Sequence, residues 1–397
     1  MSKFDPTELQ KLIDDIQETS RQNNDKVVTV SDDGIYRLAD APKTDVIASQ
    51  PETVPAEEKP AGKRKKKKVR RVHWYSKFLI FVDLCAIICF YFAYGPVSVA
   101  RDWLVTTAIT TGRHKYLAYV LYDEDMVNSV LEKNATIETD AQTNKSLIHI
   151  VDNPDTGTYE NIYEEQVVKH DEGQLYKVIE VDEDNYKGYL TVIYEPARLK
   201  LAMAKSKYGD TITTFAKNNK AIVAINGGGY KRNSEDIIYS KGTVIQNGKI
   251  IKDSGKASNL IAMSTDGILM LIKSTAKDAV AQGVDWAVMF KPFLIVNGVQ
   301  TEFVGNGGYG IQPRTAIGQR ADGIVILVTI DGRGAGGSSG ISIPDLTALM
   351  ARYGCVNAAN LDGGGSTMLA INGKLYNNPR GTYYTGERNV YNAIIYK

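Results

Sequence analysis

The run Asn360-Leu361-Asp362-Gly363-Gly364-Gly365-Ser366-Thr367 ends an apolar stretch, 356–361, on a carboxylate, three glycines and two hydroxyls. Consecutive glycines give up backbone entropy, so they mark a geometry that other residues cannot adopt. Close approach of backbone N–H groups to a ligand is one such geometry, with Asp362 held at the strand end. A related run, Ala224-Ile225-Asn226-Gly227-Gly228-Gly229-Tyr230, lies earlier in the chain. Two strand-then-glycine turns in one domain read as two walls of one site.

The chemistry open to such a site is narrowed by an absence. The four histidines are His73, His114, His149 and His170, and none follows residue 170. A Ser-His-Asp or Cys-His arrangement would have to borrow from an irregular segment, and a His-rich zinc site is equally disfavoured. Carboxylates, arginines, hydroxyls and backbone N–H groups remain. They cluster in Gln312-Pro313-Arg314-Thr315-Ala316-Ile317-Gly318, in Ile330-Asp331-Gly332-Arg333, in the Gly/Ser loop 334–342, and in Gly386-Glu387-Arg388-Asn389. Arginine forks suit bidentate phosphate binding, and Gly/Ser loops ahead of a helix offer N–H groups to anions. Plainer readings stay open beside these. The 334–340 loop also fits an ordinary turn, Asp331 a hairpin aspartate, and Arg388 a structural ion pair. Asp331, Asp362 and Glu387 are hard oxygen ligands, so a divalent cation is possible. No EF-hand-like series accompanies them, so no cofactor is required and the metal ligands stay unassigned.

The elements that must position these residues are strands. From about 179 the texture is strand-like, with runs at 178–181, 188–194, 221–225, 260–263, 268–272, 293–296, 324–330 and 392–396. Asn-Gly pairs at 247–248, 297–298 and 372–373 sit between apolar runs and predict hairpins. Helical patterns are few: 211–218, and 343–354 with Pro344 near its start, Asp345 in its first turn and Gly354 at its end. The expected fold is α+β, strand-dominated and mostly antiparallel, with few helices. Cys355 reads as a small buried apolar residue.

The first half of the chain differs. Net charge is +1 over 397 residues, which argues against nucleic acid as a partner. Residues 1–62 are polar and charged and read as a disordered tail, with a short helix at 6–19. A basic segment, 63–77, precedes an apolar one, 78–98, long enough to cross a bilayer. Trp74, Tyr75, Tyr91 and Tyr94 sit at its edges, as interfacial anchors do. Basic residues before the span place the N-terminus in the cytoplasm and the bulk of the chain outside. The span lies too far from residue 1, and lacks a clean small-x-small end, to read as a cleaved signal peptide. Asp83 is an expensive residue there, fitting a hydrated edge or a helix–helix contact. Residues 99–178 read as a helical stalk and irregular linker. Cys85 and Cys89 lie in the span and Cys355 is alone beyond it. The exported part therefore forms no internal disulfide, which suits a bacterial envelope better than an animal secretory pathway.

Taken together in their order and spacing, the motifs at 224–230, 314–318, 331–333, 340–342, 360–367 and 387–388 resemble the phosphodiester glycosidase family, over roughly 179–397. The chain lacks the disulfide-bearing additions of mammalian members. With its tail and span it is similar to membrane-tethered bacterial members described as exopolysaccharide-related. The resemblance implies a hydrolase that cleaves a sugar-1-phosphodiester of the GlcNAc-1-phosphate type, acting on a phosphoglycan or sugar-phosphate at the cell envelope. It implies catalytic roles for Asp362, Asp331 and Arg314. It implies substrate contacts from Asn226, Gly227, Gly228, Arg333, Gly363, Gly364, Gly365, Ser366, Thr367, Glu387 and Arg388. The alternative is a non-catalytic module that binds anionic envelope glycopolymers. Oligomeric state is not legible.

Overall fold

The computed structural model describes residues 26–30, 36–40, 74–95, 98–110, 115–152, 154–380 and 386–397. The expected 6–19 helix and the basic block 63–71 lie outside them. The chain divides into units 1–71 and 72–397. In the first, Lys26–Val30 pairs antiparallel with Tyr36–Asp40, a hairpin inside the segment read above as disordered.

The second unit opens with the helix Trp74–Tyr94, 21 residues. At about 1.5 Å per residue it is long enough to cross a hydrocarbon core. Among the described residues it is the one helix long and apolar enough to do so. It starts earlier than the expected 78 and stops at Tyr94. The N–H of Gly95 still bonds the carbonyl of Tyr91, but Pro96 follows and cannot continue the ladder. Helices Ser98–Thr110, Tyr116–Leu121 and Glu124–Lys133 come next. They pack on one another through Val105, Ala118, Tyr122, Val127 and Val130.

Three antiparallel sheets follow. The largest has seven strands, in the order Val299–Gln300, Phe293–Val296, Cys355–Asn360, Arg314–Arg320, Val325–Ile330, Lys187–Ile193 and Tyr176–Asp182. A five-stranded sheet runs Lys374–Leu375, Leu369–Ile371, Val223–Asn226, Asn392–Tyr396 and Leu199–Met203. The other five-stranded sheet joins strands between Val244 and Met289. Side chains alternate across each strand, so every sheet has two apolar faces. Ile317, Val325 and Leu327 enter a core shared with Ile225, Ile394, Trp286 and Ile261 from the other two sheets. Ala316, Ile326 and Val328 point the other way, onto helix Ile343–Arg352. Helix Ile212–Asn219 covers the outer face of the sheet containing Val223–Asn226 through Phe215 and Ala216. The protein is therefore α+β and strand-rich, with eight α-helices among the described residues.

The three Asn-Gly pairs form the expected hairpins, joining 244–246 to 249–252, 293–296 to 299–300, and 369–371 to 374–375. Both residues of each pair have positive φ, the backbone that a tight two-residue hairpin needs. The 136–178 segment is not a free linker. Thr143 exchanges hydrogen bonds with Leu271, the N–H groups of His149 and Val151 bond the carbonyls of Ala321 and Asp322, and helix Ile162–Val168 buries Val167 and Val168 in the core. These are mostly backbone contacts, which leave no hydrophobic periodicity to read.

Gln319 ties two sheets together. It is fully buried. Its Nε2 donates to the carbonyls of Gly267 and Gly323, and its Oε1 accepts from the N–H of Leu269 at 2.7 Å. Gln319→Leu strands three buried backbone groups and should cost about 3 kcal/mol or more. Urea unfolding measures this, and an unchanged midpoint would contradict it.

Candidate functional site

The site lies where the two larger sheets share an end. In the seven-stranded sheet Arg314 opens its strand opposite Ile330, the last residue of its neighbour, so Asp331 follows directly beside it. Ala316 pairs with Asn360, which places the 361–367 turn on the same side. In the facing sheet Asn226 ends its strand opposite Ala393, and Ile225 pairs with Leu369. Antiparallel pairing thus collects strand ends separated by more than a hundred residues in sequence.

Asn226 fastens these ends. It is buried, and its Oδ1 accepts from Thr315 Oγ1 at 2.8 Å and from the N–H of Met368 at 3.0 Å. Its Nδ2 donates to the carbonyl of Asp362, while the N–H of Asp362 bonds the carbonyl of Gly227. The Asn226 amide is therefore engaged with the frame. The glycines beside it serve close packing. A Cβ on Gly227 would lie 2.3 Å from Asn392 Oδ1, and one on Gly228 2.7 Å from Val288 Cβ. Their N–H groups bond Asn392, so Gly227 and Gly228 form a wall and not an N–H cradle.

Asp362 stands at the mouth of this turn. Its carboxyl bonds Ser366, whose hydroxyl lies 3.5 Å from that of Tyr230, and it feels the charges of Arg388 and Lys241. Burial outweighs these contacts and pushes its pKa up to about 6. Gly363 and Gly364 pass tightly under Pro313, the N–H of Gly364 bonding its carbonyl at 2.7 Å, and Gly363 lies beside the Arg314 side chain. Gly365 and Ser366 are buried. Thr367 is buried as well, and its hydroxyl has no partner among the described residues.

Asp331 occupies a different setting. It is buried, and its Oδ1 accepts from Asn377 Nδ2 at 2.7 Å and from the N–H of Asn378 at 3.2 Å. Its Oδ2 accepts from that same N–H and from Asn378 Nδ2. The carboxylate is caged by N–H donors. Gly336, Asn377, Asn378 and Arg380 line an adjoining cleft of about 230 Å³.

The arginines carry the electrostatic signal. Of the nine whose side chains are described, Arg101, Arg198, Arg232, Arg320 and Arg352 each pair with a carboxylate. Arg314, Arg333, Arg380 and Arg388 do not, among the described residues; Arg314 and Arg333 lie beside the 363–364 turn, Arg388 acts on Asp362, and Arg380 lines the cleft next to Asp331. Arg314 is buried, with Nη2 donating to the carbonyls of Tyr309 and Gly310 at 2.8 and 2.9 Å, and burial pushes its pKa down to about 10. Arg333 donates to Gln312 Oε1 and lies over Gly364; burial and the charge of Arg388 lower its pKa. Arg388 lies over the Tyr230 ring, and its Nε, like that of Arg380, is buried without a partner among the described residues. A cluster of uncompensated guanidinium groups is stable only against an anion.

Several expected residues do other work. Glu387 caps helix Ile212–Asn219, its carboxylate accepting from the N–H and hydroxyl of Thr213 at 2.8 and 2.6 Å. The 334–340 loop closes on itself through Ser338, and Ser342 caps the following helix, so most of the loop's N–H groups are taken up within the protein. His170 stacks on Tyr194, away from the site. Among the described residues no group of three or more His, Cys, Asp or Glu gathers to hold a metal. Sequence reasoning missed Asn377, Asn378, Tyr230, Lys241 and Arg380 as site residues. The Asn-Asn-Pro turn after the 372–373 hairpin was the available signal for the first two.

Residues 219–397 match the family model described as phosphodiester glycosidase. The chain is 32% identical over 179 residues to the SPbeta prophage-derived uncharacterized protein YomE of Bacillus subtilis, spanning 43% of this chain and 27% of that protein. It is 27% identical over 217 residues to human N-acetylglucosamine-1-phosphodiester alpha-N-acetylglucosaminidase, spanning 48% of this chain and 41% of that one. The match thus spans well under half the length of these curated relatives. The catalytic domain of the zebrafish enzyme of that name, auto-inhibited by its pro-peptide, aligns at 20% identity with a TM-score of 0.48, over 57% of this chain and 85% of that one. Residues 219–397 are a phosphodiester glycosidase family domain.

Asp362 makes stability depend on pH. Its folded pKa, about 6, exceeds its ordinary value of 3.8, so the folded state holds the proton more tightly than the unfolded chain. Stability from this group is full below the lower value, falls as pH rises through this window, and stays reduced above it. Asp362→Asn should gain on wild type by roughly 1–2 kcal/mol between pH 4 and pH 8. Urea unfolding at both pH values tests this, and a constant difference would refute it.

Proposed function

We propose that this chain is a membrane-anchored hydrolase that cleaves a sugar-1-phosphodiester, releasing the sugar, with its catalytic domain outside the cell. The carrying observation is four arginines without carboxylate partners among the described residues: Arg388 acting on Asp362, a carboxylate of raised pKa, Arg314 and Arg333 beside the glycine turn that follows it, and Arg380 in the cleft next to Asp331. The family match supports the reaction class, and the helix Trp74–Tyr94 supports the anchor. The preceding basic block supports a cytoplasmic N-terminus. The substrate of GlcNAc-1-phosphate type comes from the relatives that carry that name, and an envelope glycopolymer or exopolysaccharide from the anchored arrangement.

The phosphate would lie against Arg333 and Arg388, with Arg314 and Arg380 adding positive potential and the Thr367 hydroxyl a hydrogen bond. A phosphate monoester leaves readily when its charge is neutralised, so the site needs electrostatic stabilisation more than a strong acid. The bond broken is between the anomeric carbon and the phosphate oxygen. Its electron pair stays with the phosphate, and a water oxygen ends on the sugar. Asp362 in its charged form either adds to the anomeric carbon or takes the proton of the attacking water. Asp331, held by Asn377 and Asn378, supplies fixed negative potential near the oxocarbenium-like transition state.

The test is sugar release from a GlcNAc-1-phosphodiester by the purified full chain, in ¹⁸O-labelled water. The label should enter the sugar and not the phosphate. Turnover should rise with pH through about 6, because charged Asp362 is the active form. Asp362→Asn and Asp331→Asn should each lose at least about 100-fold. Arg388→Ala should raise KM about tenfold. Label in the phosphate, or normal turnover in both Asp variants, would end this reading. Binding of anionic glycopolymer without hydrolysis would leave a non-catalytic module.

A further inference from the structure

The membrane-proximal helices reach the site through a glycine-rich loop. Gly305, Gly307, Gly308 and Gly310 all have positive φ, a backbone that has little intrinsic order. Yet the carbonyls of Tyr309 and Gly310 hold Arg314, so something must order the loop. The structure shows what does. Asn134, at the end of helix Glu124–Lys133, is 5% exposed. Its Oδ1 accepts from the N–H of Asn306 at 3.0 Å, while its Nδ2 donates to Asp102 Oδ2 at 3.2 Å and to the carbonyl of Val130 at 3.0 Å. Asn306 in turn donates to Thr106 on helix Ser98–Thr110. The strand Ala135–Ile137 then pairs with Glu302–Val304 just ahead of the loop.

The fit leaves no slack. A Cβ on Gly305 would lie 2.4 Å from Asn134 Oδ1, one on Gly308 2.4 Å from the Asn134 carbonyl, and one on Gly310 2.7 Å from Thr107 Oγ1. At the other end the helices grip the span, with Tyr122 donating to the carbonyl of Ala93 and Tyr94 to that of Leu121. A continuous path of contacts therefore runs from the membrane helix to Arg314.

We propose that Asn134 is a positioning residue for Arg314, and that the membrane-proximal helices are a clamp on the anion site and not a spacer. Without the clamp the 305–310 loop loses its fixed conformation, and the carbonyls that aim the guanidinium wander. The inference rests on the reading of Arg314 as part of the anion site.

The test uses the full chain in detergent, with Asn134→Ala and, on the loop side of the same contact, Asn306→Ala. Three quantities are read: hydrogen exchange of the 303–312 amides, affinity for inorganic phosphate, and KM and kcat for the diester. Both variants should exchange faster in that segment. Phosphate affinity should weaken and KM rise about tenfold, with kcat within about twofold. A role in folding alone would lower the active fraction and leave KM and phosphate affinity unmoved. The proposal is overturned by a loosened loop with wild-type phosphate affinity, by no loosening in either variant, or by a wild type that does not bind phosphate. A wild type that binds phosphate and shows the coupling, but hydrolyses no diester, would sink the hydrolase and leave the clamp standing.

Discussion

The side chain of Asn226 joins three segments that sequence separates by up to 142 residues. Its two polar atoms meet Thr315 from one sheet, Met368 from the other, and the backbone of Asp362 between them. A buried amide with all these contacts made is rigid, and one with a contact missing is costly. Everything at the site depends on that satisfaction. Release it, and the 362–367 turn no longer knows where the 314–320 strand is. Gly227 and Gly228 follow from the same constraint, since Asn392 and Val288 come too close for a Cβ on them.

On this frame the protein holds an electrostatic imbalance. Elsewhere its described arginines meet carboxylates, and around Asp362 they do not. The two carboxylates present are disposed differently. Asp331 is held by N–H donors from Asn377 and Asn378, and Asp362 has Ser366, the Gly363 N–H, burial and the charges of Arg388 and Lys241. The second arrangement raises the energy of the charged form. Such a site is destabilising by construction. The large shared core and buried bridges such as Gln319 are what let the fold tolerate it.

Much of this was legible in the sequence, for physical reasons that differ by residue. The Asn-Gly hairpins and the 343–352 helix carry local chemistry, so their type and place could be read directly. Asp362, Arg314 and Arg333 stood out because they sit at strand ends beside glycines, and those glycines prove to be there for close packing. The errors share one cause. Glu387 and Asn226 look like ligands, but what they bond is set by partners 174 and up to 142 residues away. The Asp331 cage could not be read either, because Asn377 and Asn378 resemble any turn. The extended 136–152 segment makes its contacts through backbone groups, which sequence does not mark.

The same reasoning bears on what a tether does. A domain hung on a flexible linker could be moved without consequence to its site. Here the segment between the helix Trp74–Tyr94 and the strand-rich domain is folded into that domain, through backbone pairing at 135–137 and through Asn134. Its removal would take the Asn134 and Ala135–Ile137 contacts from a loop with four glycines at positive φ, whose carbonyls, with that of Ile341, hold Arg314 over the Tyr309 ring. Carbonyl dipoles orient a guanidinium but do not neutralise it. Arg314 therefore depends on correct aim more than an ion-paired arginine would, and that aim is set in part by the helices that follow Trp74–Tyr94.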